Sequence, residues 1–389
     1  MLDDLDLNHL DLATLTKRPG LKWAVATARG ALPAWVADMD FPIAEPIRAA
    51  LVEAVHSDLG YPAWEEGGQT DNPLIEAFVD RMGARYGYAL QPGHVRVFTE
   101  LIQALQAVLH VATRPGDAVA MHLPAYPPFV QTLEAMGRRL VPIPMVDTEA
   151  GWSFDADRFA ADAAQYGCRA LILVNPHNPT GRVFTRDELG ALAEVVQRRD
   201  LLVIADEIHA ELAYEPHRHV PFATLAADLA ARTVTLTSAS KAFNLAGLRC
   251  SVADVAPDSV RAALDALPPL LLGQPSSLAV FGTLAAWRHG EPWLTEVRAL
   301  LDRNRRLVAQ ALPPGVRHHL PEATYLAWLD WRALGLGDDP AAALLARDKV
   351  MLSSGPDFGP GGQGYARLNF ATSEAVLTEI LRRLSVTES

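Results

Sequence analysis

A chain of 389 residues, half of them apolar, is long enough for a large buried core and for two domains. Its 34 basic and 46 acidic side chains give a net charge of -12 without any run of lysine or arginine, which argues against a nucleic-acid partner. Cys168 and Cys250 lack the paired spacing of a metal site or disulfide framework, so a reducing compartment is favoured.

The start, Met1-Leu2-Asp3-Asp4, is acidic and has no apolar run, so no secretory signal is expected. The first 40 residues are too irregular for a domain of their own, and residues 1–44 are expected to pack with the smaller of two domains. Residues 73–86 read as a helix through Leu74, Ile75, Phe78, Val79 and Met82. From about residue 95 to 255, short apolar runs alternate with helical segments: 95–98, 118–122, 140–143, 170–174, 201–205, 233–237 and 250–253. That alternation predicts an α/β sheet, mostly parallel, with strands covered on both faces. Between two of these runs, residues 185–198 carry Leu189, Leu192, Val195 and Val196 at helical spacing behind a capping box of Thr185 and Glu188.

The apolar stretch 264–287 is broken by Pro268, Pro269, Gln274 and Pro275, whereas a membrane span takes about 20 continuous apolar residues, so a soluble cytoplasmic protein is expected. A long helix at 294–312 and strand-like runs at 325–329 and 366–370 then complete a smaller α+β domain. The expected division is a large domain over 45–280 and a small one over 281–389. Trp35, Trp328 and Trp331 are expected to pack the small domain.

Three strand-like runs end in polar residues: 170–174 in Asn175-Pro176-His177-Asn178-Pro179-Thr180-Gly181, 201–205 in Asp206-Glu207-Ile208-His209, and 233–237 in Ser238-Ala239-Ser240-Lys241. Ligands of open parallel sheets bind outside the carboxyl ends of the strands, so an amide, a carboxylate and a lysine should converge there. They match what a pyridine-aldehyde phosphate requires. A lysine amine forms a Schiff base, a buried carboxylate keeps the ring nitrogen protonated, and an amide can donate to the phenolic oxygen. Hydroxyls and an arginine, for which Arg249 is the candidate, can hold the phosphate.

These segments resemble the fold type I, class I/II aminotransferase family of pyridoxal 5'-phosphate (PLP) enzymes. More narrowly, 175–181, 206–209, 240–248 and Trp35-Val36-Ala37-Asp38-Met39-Asp40-Phe41 resemble its cystathionine β-lyase-like branch. The resemblance runs from about Trp35 to Arg383. It implies Lys241 as Schiff-base lysine and proton carrier, Asp206 on the ring nitrogen, Asn178 on the phenolic oxygen and Tyr126 stacked on the ring. It implies Ser238, Ser240, Arg249 and the backbone amides of Glu100 and Leu101 on the phosphate. Arg367 would take the substrate α-carboxylate as a fork, with Asn178, Trp35 and Ala37 also in the substrate pocket. Tyr61 would reach the phosphate of a neighbouring subunit, so a homodimer is expected.

The chain departs from that pattern in two places. The turn Thr99-Glu100-Leu101-Ile102 has no glycine, and Glu100 brings a carboxylate close to a phosphate. Residues 63–70 are longer and more irregular than in relatives. His209 stands where many relatives carry a tyrosine, and its role is open between cofactor contact and support. Read singly, Asp206 could cap a helix, Arg367 could be a structural ion-pair partner and Tyr126 could be core. The pair His217 and His219, without a third ligand, reads as loop rather than metal site.

The implied activity is carbon-sulfur β-elimination from a cysteine S-conjugate, with cystathionine as the reference substrate. An aminotransferase is the alternative, because the same residues serve both reactions. A non-catalytic sensor retaining the fold is the rival from another class, and the intact set Lys241, Asp206, Asn178 and Arg249 argues against it.

Overall fold

A computed structural model describes residues 10–66, 71–268 and 271–385; Met1-Leu2-Asp3-Asp4, Pro269 and residues 67–70 of the irregular 63–70 stretch lie outside the described residues. The described strands are β1 (Leu32–Ala34), β2 (Val95–Phe98), β3 (Ala118–Leu123), β4 (Arg139–Pro144), β5 (Val146–Thr148), β6 (Gly151–Ser153), β7 (Cys168–Val174), β8 (Leu202–Asp206), β9 (Thr233–Thr237), β10 (Ser251–Val255), β11 (Leu326–Asp330), β12 (Val350–Ser354) and β13 (Tyr365–Asn369).

Seven of them form one sheet in the order β2-β10-β9-β8-β7-β3-β4, in which β10 alone runs against its neighbours. The apolar runs serve two faces because successive strand residues point to opposite sides. Leu171, Leu173, Val203 and Ala205 pack with Phe159, Leu189 and Val196 on one face. Ala170, Ile172, Val174 and Ile204 pack with Leu101, Leu105 and Val108 on the other. Continuous burial of these strands between helical layers is the α/β arrangement that their composition predicts.

The helix Arg186–Arg199 begins at the expected capping box, with Glu188 N–H donating to Thr185 and the Glu188 carboxylate receiving the Thr185 N–H. The 264–287 stretch divides into a helix ending at Asp265 and another running Ser277–His289. Among the described residues no helix is long and apolar enough to cross a membrane.

A second sheet has the order β1-β12-β13-β11, with β1 parallel to β12 and the other pairs antiparallel. Its edge strand β1 comes from near the start of the chain and pairs Leu32 with Val350. The helices Glu291–Ala311 and Glu374–Leu384 accompany it. Trp328 and Trp331 are buried here, and Trp328 stacks on Tyr365 with centroids 5.2 Å apart. Beyond β1, residues 35–41 cross from this sheet to the carboxyl ends of the large one, which positions the site.

Candidate active site

Val174 pairs with Asp206, and Asp206 with Leu236, so the chain leaves β7, β8 and β9 at one level. Asp206 is buried there, and its Oδ1 accepts the Ile208 N–H at 3.0 Å. Burial pushes its carboxyl up to about 7, opposed by the Ile208 N–H and the nearby Lys241 and reinforced by Glu207. A carboxyl so placed favours a cationic partner such as a protonated ring nitrogen.

Ser238 caps the single turn Ala239–Ala242 by accepting the Ser240 N–H at 3.0 Å, and that turn presents Lys241. Lys241 Nζ donates to the Ala37 carbonyl at 2.8 Å, and the buried Tyr325 hydroxyl donates to the same oxygen at 2.8 Å. Burial lowers the Lys241 ammonium below its ordinary value, with Asp38 and Asp206 opposing and Arg367 and Arg249 assisting. The neutral amine is thereby favoured, as a nucleophile or proton acceptor requires.

Arg367, at the interior of β13, donates from Nη1 to Asn178 Oδ1 at 2.9 Å and from Nη2 to the Trp35 carbonyl and Ser353 Oγ, both at 3.2 Å. Its guanidinium lies over the Phe358 ring at 4.9 Å, and burial lowers its pKa to about 10. Its Nε is buried without a hydrogen-bond partner, an orphan donor that an incoming carboxylate would satisfy. Asn178, spending its oxygen on Arg367, keeps its amide nitrogen as a donor. Tyr126 is half-buried, edge-on to Phe129 at 5.8 Å, and shares with Trp35, Ser353, Phe358 and Arg367 a cleft of about 470 Å³.

The residues implied for the phosphate are arranged differently. Ser238 Oγ is committed to the Cys250 carbonyl at 2.6 Å, while Ser240 is half-buried. Glu100 precedes the helix Leu101–Ala112, and its carboxylate reaches Arg249 Nη2 at 2.7 Å. Tyr61 is 95% exposed on its own chain.

His209 is buried, edge-on to the Tyr325 ring at 6.2 Å, and its Nδ1 has no partner. Burial, helped by Lys241 and Arg367, lowers its pKa to about 3, so the imidazole is neutral. His219 lies in a loop, as expected, but is buried, with Nε2 3.0 Å from Glu207 Oε2, next to Asp206 in sequence. His217 lies 3.8 Å from Glu322. Among the described residues no group of three or more His, Cys, Asp or Glu could hold a metal ion.

Four further residues hold this geometry without having been singled out in the sequence. Tyr325 shares the Ala37 carbonyl with Lys241. Asn244 receives the Met39 N–H at 3.0 Å and donates to the Met39 and Phe41 carbonyls at 3.1 and 2.9 Å. Asn369 donates to the Val36 and Asp38 carbonyls, each at 2.7 Å, and Ser353 to the Trp35 carbonyl at 2.8 Å. Asn244 lies inside the 240–248 motif and Asn369 in the strand-like run 366–370, yet nothing local in sequence says that both tie down residues 35–41.

The donor set fits PLP: a buried carboxyl at Asp206, an amine at Lys241 that feels both Asp206 and Arg367, and an unmatched Arg367 N–H at the edge of the cleft. Comparison with known proteins agrees. A family model described as aminotransferase class I and II matches residues 62–384. The chain is 35% identical over 361 residues to cystathionine beta-lyase PatB of Bacillus subtilis, covering 91% of this chain and 92% of that one. The crystal structure of OvoB is 34% identical, with a TM-score of 0.88 and coverage of 94% and 95%. The PLP-bound C-S lyase from Staphylococcus hominis is 26% identical, with a TM-score of 0.88 and coverage of 97% of each chain.

Proposed function

We propose that this chain, which belongs to the aminotransferase class I and II family, is a PLP-dependent carbon-sulfur β-lyase that converts a cysteine S-conjugate such as cystathionine into a thiol, pyruvate and ammonia. The observation that carries this reading is the buried Lys241 amine in hydrogen-bond contact with Ala37, between Asp206 and Arg367, in a chain so similar to a cystathionine beta-lyase.

When bound, PLP supplies an electron sink for the charge left at the substrate Cα. Asp206 would hold its ring nitrogen, Asn178 its phenolic oxygen and Tyr126 its ring face. Ser238, Ser240, Arg249 and the Glu100 and Leu101 amides would hold its phosphate. Arg367 binds the substrate α-carboxylate through the unmatched Nε and a neighbouring Nη, with Trp35 and Ala37 bordering the same pocket. That contact orients the Cα–H bond toward Lys241, whose neutral Nζ removes the proton. Departure of the β-thiolate follows, and the released enamine hydrolyses to pyruvate and ammonia.

A homodimer belongs to the proposal, with Tyr61 of the partner subunit reaching the phosphate; the near-complete exposure of Tyr61 on its own chain supports that role. The test is incubation with L-cystathionine and no 2-oxo acid. Pyruvate released over many turnovers is the expected result. A single turnover that resumes only when a 2-oxo acid is added would sink the lyase reading in favour of an aminotransferase.

A further inference from the structure

The cofactor's phosphate would meet a site whose arginine is already paired. Glu100 stands at the N-cap of the helix Leu101–Ala112 with an extended backbone, φ -162°, and its side chain makes no cap hydrogen bond. Its carboxylate instead reaches Arg249 Nη2 at 2.7 Å. The donors before it are also matched, because Thr99 gives both its N–H and its hydroxyl to Gln103 Oε1, at 2.9 and 2.7 Å. Gln103 is held in turn by its donation to the Leu272 carbonyl. Arg249 follows the turn Ala246–Leu248 with a left-handed backbone, φ 59°, so its direction is set by the chain.

We propose that Glu100 is a competitor for the phosphate, built into the chain: its carboxylate occupies Arg249 until the cofactor displaces it. The inference rests on the PLP reading of the site and goes beyond it. A carboxylate and a phosphate oxygen offer the arginine the same charge-assisted contact, so cofactor entry exchanges one for the other rather than adding a new one. Glu100 then turns outward, which its 39% exposure permits, but keeps its charge near the phosphate. Both effects weaken retention of the phosphorylated cofactor, and neither acts on the ring. A carboxylate that merely aimed Arg249 at the phosphate would do the reverse.

The test compares wild type with Glu100→Gln and Glu100→Ala, two changes at a half-buried position. Cofactor loss from the diluted holoenzyme and rebinding to the stripped protein are followed by visible absorbance, with pyridoxal as the ligand that lacks the phosphate. Removing the charge should tighten PLP binding about tenfold in both variants while leaving pyridoxal within about twofold. Inorganic phosphate should raise the thermal midpoint of stripped Glu100→Gln more than that of stripped wild type. Unchanged or weaker PLP binding in both variants overturns the inference, as does equal tightening toward pyridoxal. Wild type that takes up no PLP at any concentration instead removes the cofactor reading on which the inference stands.

Discussion

Asp206 links burial to a measurable pH dependence. Its ordinary pKa is 3.8 and its folded value is about 7, so the fold favours the protonated form. A carboxyl raised in this way contributes stability that is fully present below about pH 4 and is lost as the pH rises through about 7. The cofactor-free protein should therefore lose melting temperature, relative to Asp206→Asn, between about pH 4 and pH 7. Lys241 contributes with the opposite sign, because its pKa is lowered, so its stabilisation grows as the pH approaches the ordinary lysine range. Loading with PLP, whose ring nitrogen gives Asp206 its cation, should flatten the Asp206 slope. Parallel melting curves for the two cofactor-free proteins would refute this account of the buried carboxyl. Arg367 makes the second prediction at this scale. Lysine at that position cannot reproduce a planar fork, and loss of charge-assisted hydrogen bonds in a dry site costs about 3 kcal/mol, or about 100-fold in kcat/KM for Arg367→Lys. A change of less than about threefold would show that the fork does not bind substrate.

Residues 35–41 have too little regular structure to hold themselves in place, so single asparagines position them. Asn369 is buried and is the donor to both the Val36 and the Asp38 carbonyl, on either side of the Ala37 carbonyl that meets Lys241. Asn369→Ala should cost about 2–4 kcal/mol by leaving these acceptors unmatched, read as a lower urea midpoint at constant slope. It should also raise KM, because Trp35 and Ala37 then drift. Thr185→Ala removes only a helix cap far along the chain and should cost about 1 kcal/mol with KM unchanged. An Asn369→Ala protein with the KM of wild type would make Asn369 a stability residue alone. The same segment marks the limit of what periodicity reveals. Strands β2 and β9 coincide with their runs at 95–98 and 233–237, because a buried strand declares itself by composition whether its partner runs parallel or, as for β2, antiparallel. Strand β1 has three residues and joins a partner more than 300 positions away, so no local pattern announces it. Asp206, Asn178 and Lys241 were readable as candidates because each follows such a strand. Tyr325 looked like one more apolar position of 325–329, and only the fold brings its hydroxyl to Ala37.

At the scale of the molecule, one surface asks for a second copy of the chain. The helix Glu45–His56 exposes Val52 and Val55, Leu59 follows with more than half its surface open, and Tyr61 beyond it is almost wholly exposed. A chain with a net charge of -12 gains nothing from displaying large apolar side chains next to one another unless something covers them. In a two-fold dimer the same patch meets itself, so each Tyr61 can stand at the other subunit's phosphate site while Lys241 remains in its own. Under the proposed arrangement, the Tyr61 and Lys241 that serve one site would come from different chains. Lys241→Ala alone should lower turnover about 100- to 10,000-fold by removing the proton acceptor. Tyr61→Phe alone should weaken cofactor retention by removing one hydrogen bond to a charged group, about tenfold. Mixed and allowed to exchange subunits, the two variants form hybrid dimers in which one site has both mutations' residues replaced and the other has neither. With equal mixing, half the dimers are hybrids and half of their sites are intact, so activity at limiting PLP should recover to about a quarter of wild type. If Tyr61 acted within its own chain, every hybrid site would lack either Tyr61 or Lys241, and mixing would restore nothing.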